Sequence, residues 1–88
     1  MTELSCKEQL DIFDSLVDEA YDLLVDFVIE REDEIRQGAR ERLEQNYDEY
    51  GDAAFHWTEA RAVVEGLEEC DDALNCIVFA LYAREEKQ

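Results

Sequence analysis

Carboxylates return at every fourth position through "DSLVDEAYDLLVDFVIERED": Asp14, Asp18, Asp22, Asp26 and Glu30, with Glu34 one step further. On a helix such residues are neighbours, and each like-charged pair opposes folding by roughly 0.2–0.5 kcal/mol. No basic side chain lies between Lys7 and Arg31 to relieve them. Counted from Glu8 to Glu34, and so including Asp11, Glu19, Glu32 and Asp33, there are eleven acids with Arg31 as the one base. If one helix ran through, they would occupy roughly 39 Å of it. That is one negative charge per ~3.5–4 Å, close to the one phosphate per ~3.4 Å along a single DNA strand. The chemistry open to such a surface is attraction of lysine and arginine side chains.

Other reactive groups offer less. Asp52, His56 and Glu59 stand at i, i+4 and i+7, the outline of a three-ligand metal site. Di-metal carboxylate bundles use Glu-x-x-His on two helices, and the chain has no such pair. His56 is therefore expected to be an ordinary histidine, and no metal or cofactor is assigned. There is no glycine-rich phosphate loop and no recognisable Cys–His or Ser–His–Asp arrangement, so a non-enzymatic role is expected. Cys6, Cys70 and Cys76 are odd in number and lack zinc-ligand spacing, and reduced, buried thiols are expected.

The elements that must hold the acids are helical. With 88 residues, no proline and three scattered glycines, the composition favours one all-α domain over 1–88, a bundle of three or four helices. A net charge of −17 alone would favour disorder, but 47% hydrophobic and 10% aromatic residues argue for a packed core. Ser5 and Glu8 form a capping-box pattern. From there Leu10, Phe13, Val17, Ala20, Leu24 and Phe27 repeat at three- and four-residue steps, and flanking apolar residues widen the stripe to half the cylinder. An arc that wide fits contact with two helices or with another chain, and it permits a homodimer.

Residues 31–45 hold four of the eight basic residues among acids, the pattern of a solvated helix, with Gly38 ending the first helix or kinking it. Ala39, Leu43, Tyr47 and Tyr50 give a short second helix one apolar side, and Tyr50-Gly51-Asp52 marks a turn. Tyr47 and Tyr50 suit either core packing or an exposed partner contact. Ala53, Trp57, Ala60, Val64, Leu67, Leu74, Val78 and Leu81 continue the periodicity with only Asp71 breaking the series. A break or bend capped by Asp71-Asp72 is expected near 70–72, the alternative being one long helix from 53 to about 85. "CIVFALYA", residues 76–83, is apolar all round and predicts the middle of a bundle or a subunit interface. It is far shorter than the ~20 residues that span a bilayer. Anionic membrane surfaces and nucleic acid would both repel the chain, and with no signal-peptide pattern a cytoplasmic protein is expected.

In charge, size and cysteine usage the chain is similar in kind to the small acidic DNA-mimic inhibitors of phages and mobile elements, which block restriction enzymes, CRISPR effectors, uracil-DNA glycosylase or nucleoid proteins. No motif is shared with them, and they adopt unrelated folds. The likeness implies an inhibitor that occupies the basic cleft of a nucleic-acid-binding protein. Asp11, Asp14, Asp18, Glu19, Asp22, Asp26, Glu30, Asp33, Glu34, Tyr47 and Tyr50 are its expected contact residues. The alternative is a helical adaptor or assembly subunit whose acids only confer solubility.

Overall fold

The computed structural model describes residues 3–86, so positions 1, 2, 87 and 88 of the expected 1–88 domain lie outside the described residues. The chain is all-α: α1 over Cys6–Glu30, α2 over Glu32–Tyr50, a 3-10 turn over Ala53–His56 and α3 over Glu59–Glu86, with no strand among the described residues.

Each helix start has a local cause. The Ser5 Oγ accepts from the Glu8 N–H at 3.1 Å while the Ser5 N–H donates to Glu8 Oε1 at 3.1 Å, completing the capping box that opens α1. At α3 the Thr58 Oγ1 accepts from the Arg61 N–H at 3.2 Å. Thr58 is thus the N-cap, and the helix begins there rather than at Ala53. Trp57, immediately before it, is extended, and the Arg61 guanidinium lies 4.5 Å from its ring centroid. Gly51 turns the chain after α2 with φ of 62°, a backbone region in which side chains with a Cβ are strained.

Two boundaries differ from the sequence expectation. The first helix ends at Arg31, not at Gly38, which sits inside α2. Glu30, Glu32, Asp33 and Glu34 crowd four carboxylates into five positions. Continuing α1 through them would leave all four in a helix interior, away from the favourable field of an N-terminus. Breaking at Arg31 places Glu32, Asp33 and Glu34 in the first turn of α2, where the helix dipole favours them. Conversely, no break occurs at Asp71-Asp72, and α3 is continuous for 28 residues.

The core is small. Leu16 and Ala20 of α1 meet Val78 and Leu81 of α3, and Ile12, Phe13, Leu23, Leu74, Ile77 and Tyr82 pack partly buried around them. "CIVFALYA" therefore supplies core on one side only, since Val78 and Leu81 are buried while Cys76, Phe79 and Ala80 are exposed. All three thiols are free and exposed, which corrects the expectation of buried cysteines. Cys6 lies in the first turn of α1, and Cys70 and Cys76 lie where α1 does not cover α3. α2 buries nothing, and neither does the first half of α3.

Candidate acidic interface

Eight acids occupy α1: Glu8, Asp11, Asp14, Asp18, Glu19, Asp22, Asp26 and Glu30. All are exposed. Burial of Leu16 and Ala20 against α3 fixes the rotation of the helix, and so fixes which way the acids project. Asp11, Asp18 and Asp22 point away from that core, as their spacing from Leu16 and Ala20 requires.

The i, i+4 row is a shallow spiral. Each four-residue step advances about 40° around a helix of 3.6 residues per turn, so Asp14 to Glu30 sweeps about 160°. The row therefore forms a broad acidic sector and not a straight column. By Glu30 it has come round to the side on which Leu23 packs, and Glu30 is exposed because the core ends near Leu23. Counted from Glu8 to Glu30, the eight charges are spaced about 4.7 Å apart along the axis. This is sparser than the value anticipated for an uninterrupted helix to Glu34, because Asp33 and Glu34 belong to α2.

Neutralisation is almost absent on this sector. Among the described residues the ion pairs are Arg31–Glu30 at 3.6 Å, Arg36–Glu32, Arg40–Glu44 at 3.3 Å and His56–Asp52 at 3.1 Å. None involves Asp11, Asp14, Asp18, Glu19, Asp22 or Asp26. The two remaining Arg–carboxylate pairs lie within α2, as the i, i+4 pattern there predicts, and exposed pairs of this kind contribute little to stability.

Tyr47 and Tyr50 are exposed at the end of α2, well removed in sequence from the acids of α1, and they pack in no core. With Ile35 and Leu43 they form an apolar stripe on α2 that is left exposed among the described residues. His56 hydrogen-bonds to Asp52 through Nε2, but the extended residue Trp57 separates both from Glu59, so one helical face does not carry all three. Among the described residues no group of three His, Cys, Asp or Glu side chains is arranged to hold a metal ion. No helix among the described residues is long and apolar enough to cross a membrane.

A feature that sequence reasoning underestimated is the apolar surface left open. Leu10, Tyr21 and Val28 line a second side of α1, and Val63, Val64 and Leu67 line the first half of α3, all exposed. The signal was present in the half-cylinder arc and in the length of the α3 periodicity, both of which exceed what one neighbouring helix can cover. No protein-family model, curated protein or solved structure matches the chain.

Proposed function

We propose that the chain is an acidic inhibitor that occupies the basic nucleic-acid-binding cleft of a protein target. The observation that carries this reading is the exposed, unpaired set Asp11, Asp14, Asp18, Glu19, Asp22 and Asp26 on a helix rotationally fixed by its core. A rigid row of negative groups presents a cationic cleft with much of what a phosphate backbone presents, and the phosphate term supplies most non-specific affinity. Glu30, Asp33 and Glu34 extend the negative field around the α1–α2 joint, with Tyr47 and Tyr50 as apolar anchors further along α2. Complementary charge speeds encounter, so binding should be fast and weakened by salt. The role is occlusion, with no catalysis and no cofactor. Phage or mobile-element origin and a restriction or CRISPR target fit that role. A cytoplasmic setting fits it as well.

The test is a DNA-retention assay in which the protein competes with labelled DNA for a cationic target at two salt concentrations. Inhibition that falls as salt rises, and that is lost when Asp18, Asp22 and Asp26 are changed to Asn, supports the reading. Inhibition that survives the triple substitution eliminates it.

One observation favours a second reading, a helical adaptor that binds through apolar contact. Val63, Val64 and Leu67 are exposed in a row. Under that reading Leu67→Asp abolishes partner capture and the triple Asn variant does not. Leu67 is a better probe than Val78, which is buried in the core and whose replacement by Asp would unfold the chain.

A further inference from the structure

The molecule exposes far more surface than its mass requires. A folded monomer of this mass is expected to show roughly 5,400 Å² of accessible surface. The chain shows 7823 Å². Its Cα radius of gyration is 16.7 Å, where a compact chain of this length has about 12 Å. The excess, about 2,400 Å² per chain, is several times the ~800 Å² that each partner contributes to a standard interface, and it is in the range of obligate homodimers.

Part of the open apolar surface lies on α3. Val63, Val64 and Leu67 lie on the same side of α3 as Leu74, Val78 and Leu81, because the three- and four-residue steps continue along the helix. α1 covers the second half of this stripe, with Leu81 at 3% exposure, and leaves the first half bare, with Leu67 at 58%. One helix face is thus core at one end and open at the other. Leu43 and Tyr47 of α2 are likewise open.

We infer that a second copy of this chain covers the first half of α3, through a two-fold contact centred on Val64 and Leu67 and flanked by α2. The charges are arranged to allow it despite −17 on each copy. In the first half of α3, Glu65, Glu69 and Asp72 fall on the side opposite Val63 and Leu67, while Glu68 borders Val64 and Asp71 interrupts the stripe one turn beyond Leu67. Two apolar faces can therefore meet over residues 60–67 with Asp71 at the rim of the contact. Residues 31–45, which make up most of α2, carry four arginines among five acids and so add little net charge beside the contact. The acidic sector of α1 remains free. The contact is independent of the proposed inhibitory role, and salt separates the two: screening weakens a charge-driven target complex and strengthens association of two like-charged copies.

Sedimentation of the full chain at high and low micromolar concentration tests the inference. The expected mass is twice 10.3 kDa at high concentration, tightening as salt is raised. Leu67→Asp is expected to halve that mass while retaining helical circular dichroism, and Phe79→Asp, on another exposed site, is expected to leave it dimeric. A wild-type particle of 10.3 kDa throughout, an open-ended series of larger species, or a dimer broken by Phe79→Asp but not by Leu67→Asp overturns it. If Leu67→Asp fails to fold, amide exchange of the wild type decides. Protection across residues 60–70 that falls on dilution supports the contact, and protection independent of concentration refutes it.

Discussion

The guanidinium of Arg31 lies 5.0 Å from the centroid of the Phe27 ring, one turn back along the chain. The Arg31 backbone N–H is shared between the carbonyls of Phe27 and Val28, at 3.1 and 3.3 Å, and the first helix stops there. A single non-helical residue therefore joins α1 to α2, with its side chain folded onto the last turn of α1. The cation also faces the negative end of that helix, which has no other base in its last turn. Arg31→Ala is expected to cost about 0.5–1 kcal/mol, the range of an exposed cation–π contact. Chemical denaturation followed by circular dichroism measures it. Arg31→Lys should restore only part of the loss, since a compact ammonium lacks the planar fit to the ring.

Removing the Ser5 hydroxyl leaves the Glu8 N–H without its acceptor at the start of α1. Ser5→Ala is expected to destabilise the chain by about 1 kcal/mol. For a domain of this size that corresponds to a fall in Tm of roughly 4–8 °C. A thermal melt that does not move would show that the first turn frays without consequence.

The acidic row should oppose the fold that displays it. Asp14, Asp18, Asp22, Asp26 and Glu30 make four like-charged i, i+4 contacts, and the triple change of Asp18, Asp22 and Asp26 to Asn removes all of them. At low salt this variant is expected to gain about 1–2 kcal/mol over the wild type. The gain should shrink as salt shortens the screening length to about 10 Å at 0.1 M. Urea midpoints of both proteins at low and high salt give the comparison. The same substitutions that abolish inhibition would then raise stability, which rules out unfolding as the reason for lost function.

Gly38 lies within α2, and a Cβ built there meets nothing within 4 Å. Gly38→Ala is expected to stabilise the helix by about 0.5–1 kcal/mol, since alanine loses less conformational freedom and adds no clash. Increased ellipticity and a higher melting temperature are the readouts.

Leu81→Ala removes a buried side chain from a core with few members and should cost about 2–5 kcal/mol. Phe79→Ala, two residues away and 66% exposed, should change stability by no more than about 0.5 kcal/mol. Equal effects would mean that the all-round apolar segment is covered on both sides.

What the sequence made legible was local. The Ser5–Glu8 box depends on residues three apart, and the helical nature of each segment depends on the absence of proline and on periodicity. Both survive without knowledge of neighbours. The joint at Arg31 was missed because glycine is the stronger helix breaker in isolation, whereas here the break gives Glu32, Asp33 and Glu34 the favourable N-terminal turn of a new helix. The expected break at Asp71-Asp72 fails for the converse reason. Their spacing resembles a cap, yet the apolar stripe runs on from Leu67 to Leu74 in phase, and a continuous helix keeps that phase. The acids of α1 were named correctly as exposed, but their spread over a broad sector follows from 3.6 residues per turn and could have been derived at once. Which apolar face would find no cover was the part that required coordinates, since α1 and α3 differ in where along their length they meet.

Trp57 stands just before the N-cap of α3, outside the core and beside the stretch proposed to meet a second copy, with Arg61 over its ring. It is the sole tryptophan. The molecule therefore carries an intrinsic fluorophore just ahead of the stretch proposed to meet a second copy, held next to a cationic group. Titrations of copies or targets can be followed optically without attaching a dye.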